Sequence, residues 1–321
     1  MKNKGITLIR GGYEPLLDYL KGIAILMVLL NHGTGGLNGM LQYPLWVEQA
    51  VPIFLLIQVF HAYKKDAVVY PKLPKIWHRI LKPFLVIQSI FLVYTIGKGV
   101  YKGLDLSESL THMLYSGGSG PGSYYIWVYI QMAILCPLMY RLATSKFAVW
   151  IFAGISLGME IMCSTIEMPD DVYRLLCIRY VFLIYLGYLW AKKGILLTTK
   201  TICLSILSAA AILVLNYAHQ HQPVISFEPW VFDTDWTSFH WFTYFLPWSF
   251  LPFVICKCYQ IKPECRLNKL VLLCGKRSYE IFLWQMLVFG VSSLPGYANI
   301  LVSLLPLVVC ERGKCFSQIK M

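Results

Sequence analysis

The chain has 321 residues, of which 57% are apolar and only 14% charged, with a mean hydropathy of +0.59; soluble domains run at roughly 45–50% apolar and about 25% charged. That balance excludes a water-soluble enzyme, and no polar half divides the apolar runs, so residues 1–321 read as one membrane-embedded domain. Lysine and arginine outnumber aspartate and glutamate 28 to 16, a net charge of +12, whose meaning depends on where the cations lie.

A helix needs roughly 20 mostly apolar residues to cross about 30 Å of hydrocarbon. Such runs fall at 20–37, 46–63, 83–98, 123–142, 147–166, 174–191, 199–218, 239–257, 278–294 and 298–310. They are continuous rather than alternating, which disfavours a strand barrel. The predicted fold is all-α: a polytopic integral membrane bundle of about ten transmembrane helices, the last of them short.

The first run contains Lys21 and His32, with Asp18 just ahead of it, and an ionisable group at membrane depth is a functional candidate because its desolvation is costly. Lys21 and His32 are eleven residues apart, about 1100° of rotation, so they share a face and stand about 16 Å apart along the axis. Asp18 is within reach of the Lys21 ammonium three residues on, whereas about 21 Å of helix separates it from His32. A neutral imidazole takes the proton of an attacking hydroxyl; a histidine ahead of Gly33-Thr-Gly-Gly36 also serves simply as a bond between helices. No small-x-small cleavage site follows, so a retained helix is expected.

After the second run, Lys64, Lys65, Lys72, Lys75, Arg79 and Lys82 form a basic stretch. Lys75, Arg79 and Lys82 stand at i, i+4 and i+7, on one face of a continuous α-helix. Two outer loops, 99–122 and 219–238, are long enough to fold over a cleft. In the first, Gly117-Gly-Ser-Gly-Pro-Gly122 has no strand ahead of it and reads as a turn. In the second, Phe227, Trp230, Phe232 and Trp236 suit sugar rings and bilayer interfaces equally. Arg179 is an outer cation that either neutralises Glu167, Asp170 or Asp171 or faces the cleft, and Glu160 sits inside a run with no assigned partner. His219 and His221 read as solvated loop, and the ten cysteines lack C-x-x-C pairing, so free thiols and no metal site are expected.

With the N-terminus inside, every lysine and arginine except Lys98, Lys102, Arg174 and Arg179 falls in cytoplasmic segments. Asp105, Glu108, Glu167, Asp170, Asp171, Glu228, Asp233 and Asp235 fall outside. The positive-inside rule then predicts cytoplasmic N and C termini. The basic excess is a topology signal, and nucleic acid is not an expected partner.

The stretch Leu17-Asp-Tyr-Leu-Lys-Gly-Ile-Ala-Ile-Leu-Met-Val-Leu-Leu-Asn-His32 resembles the opening signature of the membrane acyltransferase-3 family, an arginine, ten residues, then a histidine. Lys21 replaces that arginine, which keeps the charge and loses bidentate binding. Pro52-Ile-Phe-Leu55 with His61-Ala-Tyr-Lys-Lys65 is similar to the second span, with Gln58 where many members have Ser-Gly. His78-Arg-Ile-Leu-Lys-Pro83 resembles the basic segment, with Lys82 for a second arginine. Gly120-Pro-Gly-Ser-Tyr-Tyr-Ile-Trp-Val-Tyr-Ile-Gln131, Arg179-Tyr180 with Gly187, and Gly275-Lys-Arg-Ser-Tyr-Glu-Ile-Phe-Leu-Trp-Gln285 follow in family order, Gln285 standing where some members have histidine.

The resemblance implies an integral membrane O-acyltransferase of the plasma (bacterial inner) membrane, moving acetyl from acetyl-CoA to a hydroxyl of an envelope saccharide in capsule, exopolysaccharide or O-antigen. It implies His32 as base with Asp18 and Lys21 nearby in sequence. Arg79, Lys75 and Lys82 would meet the coenzyme A phosphates. Tyr124, Gln131 and Ser278 are candidate oxyanion donors, and Gln285 and Arg179 candidate acceptor contacts. Tyr124 and Gln131, like Ser278 and Gln285, are seven residues apart and share a face, which serves equally to tie helices together. Partners expected are acetyl-CoA, the saccharide and the bilayer, with oligomeric state open. A flippase for lipid-linked saccharide and an inactive acyltransferase-like adaptor or polymerase are the alternatives.

Overall fold

A computed structural model describes residues 6–7, 15–34, 49–63, 68–103, 105–166, 168–194, 196–220, 244–245, 248–249, 251–252 and 265–309. In chain order these form β1 (Ile6–Thr7), α1 (Pro15–Gly33), α2 (Ala50–Ala62), α3 (Leu73–Lys102), α4 (Leu106–Tyr115), α5 (Tyr124–Ala143), α6 (Ala148–Thr165) and α7 (Asp170–Leu175). A 3-10 turn (Ile178–Tyr180), α8 (Val181–Lys193), β2 (Leu196–Leu197), α9 (Thr199–Gln220), α10 (Arg266–Lys276), α11 (Ser278–Val291), α12 (Gly296–Ser303) and α13 (Leu305–Val309) follow. Among the described residues the all-helical reading holds apart from one two-residue antiparallel ladder, Ile6 opposite Leu197. That ladder ties the segment before α1 to the segment after α8, so both lie at the same end of the bundle.

By length and composition α1, α3 and α5 are each able to cross a membrane, and shorter apolar helices include α2, most of α6 and α11. Run 239–257 lies largely outside the described residues. Run 174–191 is not one helix: the chain breaks at Leu176, whose backbone is extended, before α8 begins. Run 298–310 is split at Leu304, just ahead of Pro306, which lacks the N–H to continue the ladder. Run 83–98 proves to be the inner part of α3, whose 30 residues measure about 45 Å. That exceeds the hydrocarbon thickness of about 30 Å, so part of α3 projects beyond it.

α2 is the innermost helix, packed against α1, α5 and α8, with Ile53, Leu55, Leu56 and Val59 fully buried. α3 lies at the periphery against α11 and α4, and its exposed Val86, Ile90, Val93 and Val100 face where lipid would be.

Glycines set the position of α1. A Cβ on Gly275 would overlap the Asp18 carbonyl, one on Gly22 would overlap Val271, and one on Gly296 would overlap the Gly33 carbonyl. α1 thus starts at the α10–α11 junction and ends at the α11–α12 junction, parallel to α11. Gly275→Ala is expected to cost about 1–3 kcal/mol by overpacking, seen as a lower thermal midpoint. Gly97→Ala, whose added methyl meets nothing, is expected not to lower it, since alanine is the better helix former.

Candidate functional site

On α11, Ser278, Phe282, Gln285 and Phe289 are spaced by four, three and four residues, which puts them on one face. The Phe289 ring lies 6.0 Å from the His32 imidazole, tilted by 59°. Phe282 meets Tyr125 edge-on at 5.5 Å and stacks on Tyr279 at 6.3 Å. The Tyr279 hydroxyl in turn donates to the carbonyl of Ile80 on α3. Side-chain contacts thus join the basic turns of α3 to Phe282, and the same face of α11 leads on through Gln285 to Phe289 beside His32, ten residues or about 15 Å from Tyr279.

The α3 end of that line is a π-turn, Trp77–Leu81, in which the Lys82 N–H bonds the Trp77 carbonyl five residues back. The wider turn shifts the register, so Lys75 and Lys82 do not lie on one straight α-helical stripe as the i, i+4, i+7 spacing predicts. All three cations are exposed, and among the described residues none of them meets an acid. Tyr279 holds the π-turn from 199 residues away.

His32 sits in the last turn of α1, half-buried, and among the described residues its ring makes no hydrogen bond. Its nitrogens are thus not committed to a neighbouring helix. Asp18 and Lys21 pair with each other at 2.7 Å at the opposite end of α1, where Asp18 is 1% exposed and Tyr19 donates to Asn268 of α10 at 2.7 Å. The three ionisable groups of the first span do not form one cluster. Only His32 lies on the α11 line.

The glutamines divide by task. Gln131 donates to the Leu175 carbonyl at 2.6 Å and accepts from the Cys177 N–H at 3.0 Å. It therefore pairs the two backbone groups that the break at Leu176 sets apart, which lipid would leave unsatisfied. Its carbonyl and one of its two amide hydrogens are engaged in this backbone repair. Gln88 clasps Ser119 from both sides, donating at 3.0 Å and accepting at 2.7 Å, and Gln285 donates to the Pro121 carbonyl at 3.0 Å. With Trp127 donating to Gly117 at 2.6 Å, these bonds seat the glycine turn between α3 and α11. The turn reading holds: Gly117, Gly118, Gly120 and Gly122 all have positive φ, the left-handed backbone that glycine alone adopts freely. The Oε1 atoms of Gln285 and Gln58 are buried and accept no hydrogen bond among the described residues.

Ser278 stands at the first turn of α11, about 16 Å from Phe289, so it belongs to the α3 end of the line and not to His32. Tyr124 opens α5, beside the glycine turn. Arg179 lies over the rings of Tyr173 (5.9 Å) and Tyr180 (5.1 Å), with the Glu160 carboxylate in electrostatic reach. Glu160 has a partner after all: Tyr173 donates to it at 2.6 Å. Burial, and then the adjacent carboxylate, hold the Tyr173 phenol well above its ordinary range. Glu167 and the Asp170 side chain lie outside the described residues. Cys136, Cys163, Cys177, Cys203, Cys265 and Cys274 are free thiols.

Sequence reasoning missed Tyr279, Tyr125, Phe289 and Gln88. Tyr279 stood inside the closing motif, and Gln88 interrupts an apolar run as Gln58 does. A polar group in such a run was the available signal. Tyr125 likewise stood inside the Gly120–Gln131 motif, whereas Phe289 carried no signal, because an aromatic on an apolar helix is most often plain core.

A bundle of apolar helices with an uncommitted imidazole at the end of one of them matches, over residues 15–310, a family model described as an acyltransferase domain, and its class is membrane acyltransferase. The chain belongs to the acyltransferase-3 family, the match covering the opening and closing motifs alike. No curated protein and no solved structure matches it.

Proposed function

We propose that the protein moves an acetyl group from acetyl-CoA to a hydroxyl of an envelope saccharide, in the plasma membrane, with His32 as general base. The observation that carries this is the line along α11 from the π-turn to His32. Arg79, with Lys75 and Lys82, meets the donor's phosphates at the first turns of α3, a cytoplasmic placement that the distribution of cations supports. The pantetheine arm follows Tyr279, Phe282 and Gln285 toward the other end of α11. The acceptor enters from the outer side, where the glycine turn, Tyr124 and Arg179 stand.

His32 takes the acceptor's hydroxyl proton as its oxygen bonds to the thioester carbonyl carbon. The tetrahedral intermediate then collapses, the carbon–sulfur bond breaks, and the imidazolium returns the proton to the leaving thiolate. Tyr124, which opens α5 beside the glycine turn, and Tyr125, whose ring meets Phe282, are the donors proposed for the oxyanion.

The test is transfer itself. Membranes containing the protein, given acetyl-CoA and acceptor glycan, are expected to yield an acetyl methyl signal in the proton NMR spectrum that mild base removes. Absence of that ester overturns the proposal and favours transport. Two variants probe the donor end. Arg79→Ala is expected to raise the KM for acetyl-CoA roughly tenfold, as loss of one charge-assisted bond of about 1.5–3 kcal/mol implies, with kcat little changed. Tyr279→Phe, which only frees the π-turn, is expected to raise the same KM by a smaller factor of about 2–10, the worth of one neutral hydrogen bond. An unchanged KM in both variants removes the π-turn from the donor site.

A further inference from the structure

On α5 the exposed apolar side chains Trp127, Ile134 and Leu138 are spaced by seven and four residues, which puts them on one outward face. Tyr125, Tyr129, Met132 and Cys136 lie on the opposite face. Met132 and Cys136 are fully buried, yet Tyr125 and Tyr129 are only half-buried. On α2, Phe54 and Gln58 are half-buried in the same way, four residues apart, although Leu55, Leu56 and Val59 between and beside them are fully buried. The two half-buried pairs meet: the Phe54 ring lies 5.9 Å from Tyr125, and Gln58 donates to the Tyr129 carbonyl at 2.8 Å. Tyr125 reaches Phe282 of α11 edge-on, and its phenol and that of Tyr129 are in electrostatic reach of Tyr279. Accessible surface on the inward faces of α2 and α5 borders a slot between those helices and α11. At Tyr279 the slot adjoins the π-turn of α3.

The polar groups of the slot are few. Among the described residues the Tyr129 hydroxyl makes no hydrogen bond, and the Gln58 Oε1 is buried and accepts none. One free donor and one free acceptor at the Gln58–Tyr129 contact match the carbonyl and the N–H of a secondary amide, and the surrounding rings match saturated carbon. An all-carbon occupant would leave Oε1 stranded, and a sugar brings more hydroxyls than the slot has partners for. We propose that Gln58 and Tyr129 bind the pantetheine arm of the donor through one of its two amides, Tyr129 donating to the carbonyl and Gln58 Oε1 accepting from the N–H. This inference rests on the acetyl-CoA reading and deepens it, since it assigns recognition of the arm to α2 and α5, apart from the cations that meet the phosphates.

Free pantetheine, which lacks the nucleotide, is tested as a competitor of acetyl-CoA in transfer by the full-length protein in membranes. It is expected to compete. Tyr129→Phe, which removes one oxygen and no existing bond, is expected to raise its inhibition constant about 2–10-fold, the worth of one neutral hydrogen bond, and the KM for acetyl-CoA by the same factor with kcat little changed. Arg79→Ala is expected to leave the pantetheine constant unchanged. An analogue with ester oxygens in place of the two amide nitrogens keeps the carbonyls and loses the N–H donors. On the wild type it is expected to bind about 2–10-fold more weakly than pantetheine, and on Gln58→Leu the two compounds are expected to bind alike, a loss of discrimination that a merely structural role for Gln58 would not produce. An unchanged pantetheine constant in Tyr129→Phe, or discrimination retained in Gln58→Leu, overturns the proposal. So does equal binding of the two compounds by the wild type, or no competition by pantetheine, and these two measurements need no variant to fold. If the wild type shows no transfer from acetyl-CoA at all, the donor reading itself fails and the slot assignment with it, an outcome distinct from every other.

Discussion

Replacing His32 with alanine is expected to lower acyl transfer by roughly 10²–10⁴-fold, the usual contribution of a positioned general base, while the protein accumulates in the membrane as before. The two halves of that expectation have separate grounds. The loss of rate follows from the imidazole's place at the end of the α11 line against Phe289, where the proposed thioester and hydroxyl meet. The unchanged abundance follows from the ring's lack of any hydrogen bond among the described residues, so that its removal leaves no donor or acceptor stranded. Transfer persisting in His32→Ala refutes the assigned base. Incubation of wild-type protein with acetyl-CoA alone separates direct transfer from an acetyl-histidine carrier, because only the latter retains label without acceptor.

Replacing Gln131 with leucine is expected to have the opposite signature. It strands the Leu175 carbonyl and the Cys177 N–H, each at about 1–3 kcal/mol, so the loss is roughly 2–6 kcal/mol against a total stability of about 5–15. A much lower thermal midpoint and less protein in the membrane are expected, before any question of kinetics. Gln131→Glu keeps the acceptor for Cys177 and loses the donor to Leu175, and is expected to fall between wild type and leucine. If Gln131 instead contacts substrate, the leucine variant keeps its midpoint and raises a KM. The two readings are thus separated by one melting curve.

The contrast between these residues shows how far local patterns reach. His32 was identified as a candidate from the first span alone, because an ionisable side chain in an apolar run is conspicuous whatever its neighbours. The pairing of Asp18 with Lys21 was legible for the same reason, being a three-residue spacing on one helix. The face formed by Lys75, Arg79 and Lys82 was read under the assumption of unbroken α-helix, and the π-turn at Trp77–Leu81 altered it. Pairing Ser278 with Gln285 on one face was correct, yet it could not tell which end of α11 faces the imidazole.

By itself the sequence determined the membrane class, the helical character of the spans and the uneven distribution of cations along the chain. Hydropathy, charge and the helical period are properties of contiguous residues, so no partner is needed to read them. Only the tertiary structure decided what the buried amides do. Gln88, Gln131 and Gln285 find their backbone partners 31, 44 and 164 residues away, and Tyr279 finds its own on another helix. An amide offers a donor and an acceptor wherever it sits, and in a medium without water the strongest claim on it is the nearest unpaired backbone group. That group exists only once helices break, turn and pack against one another.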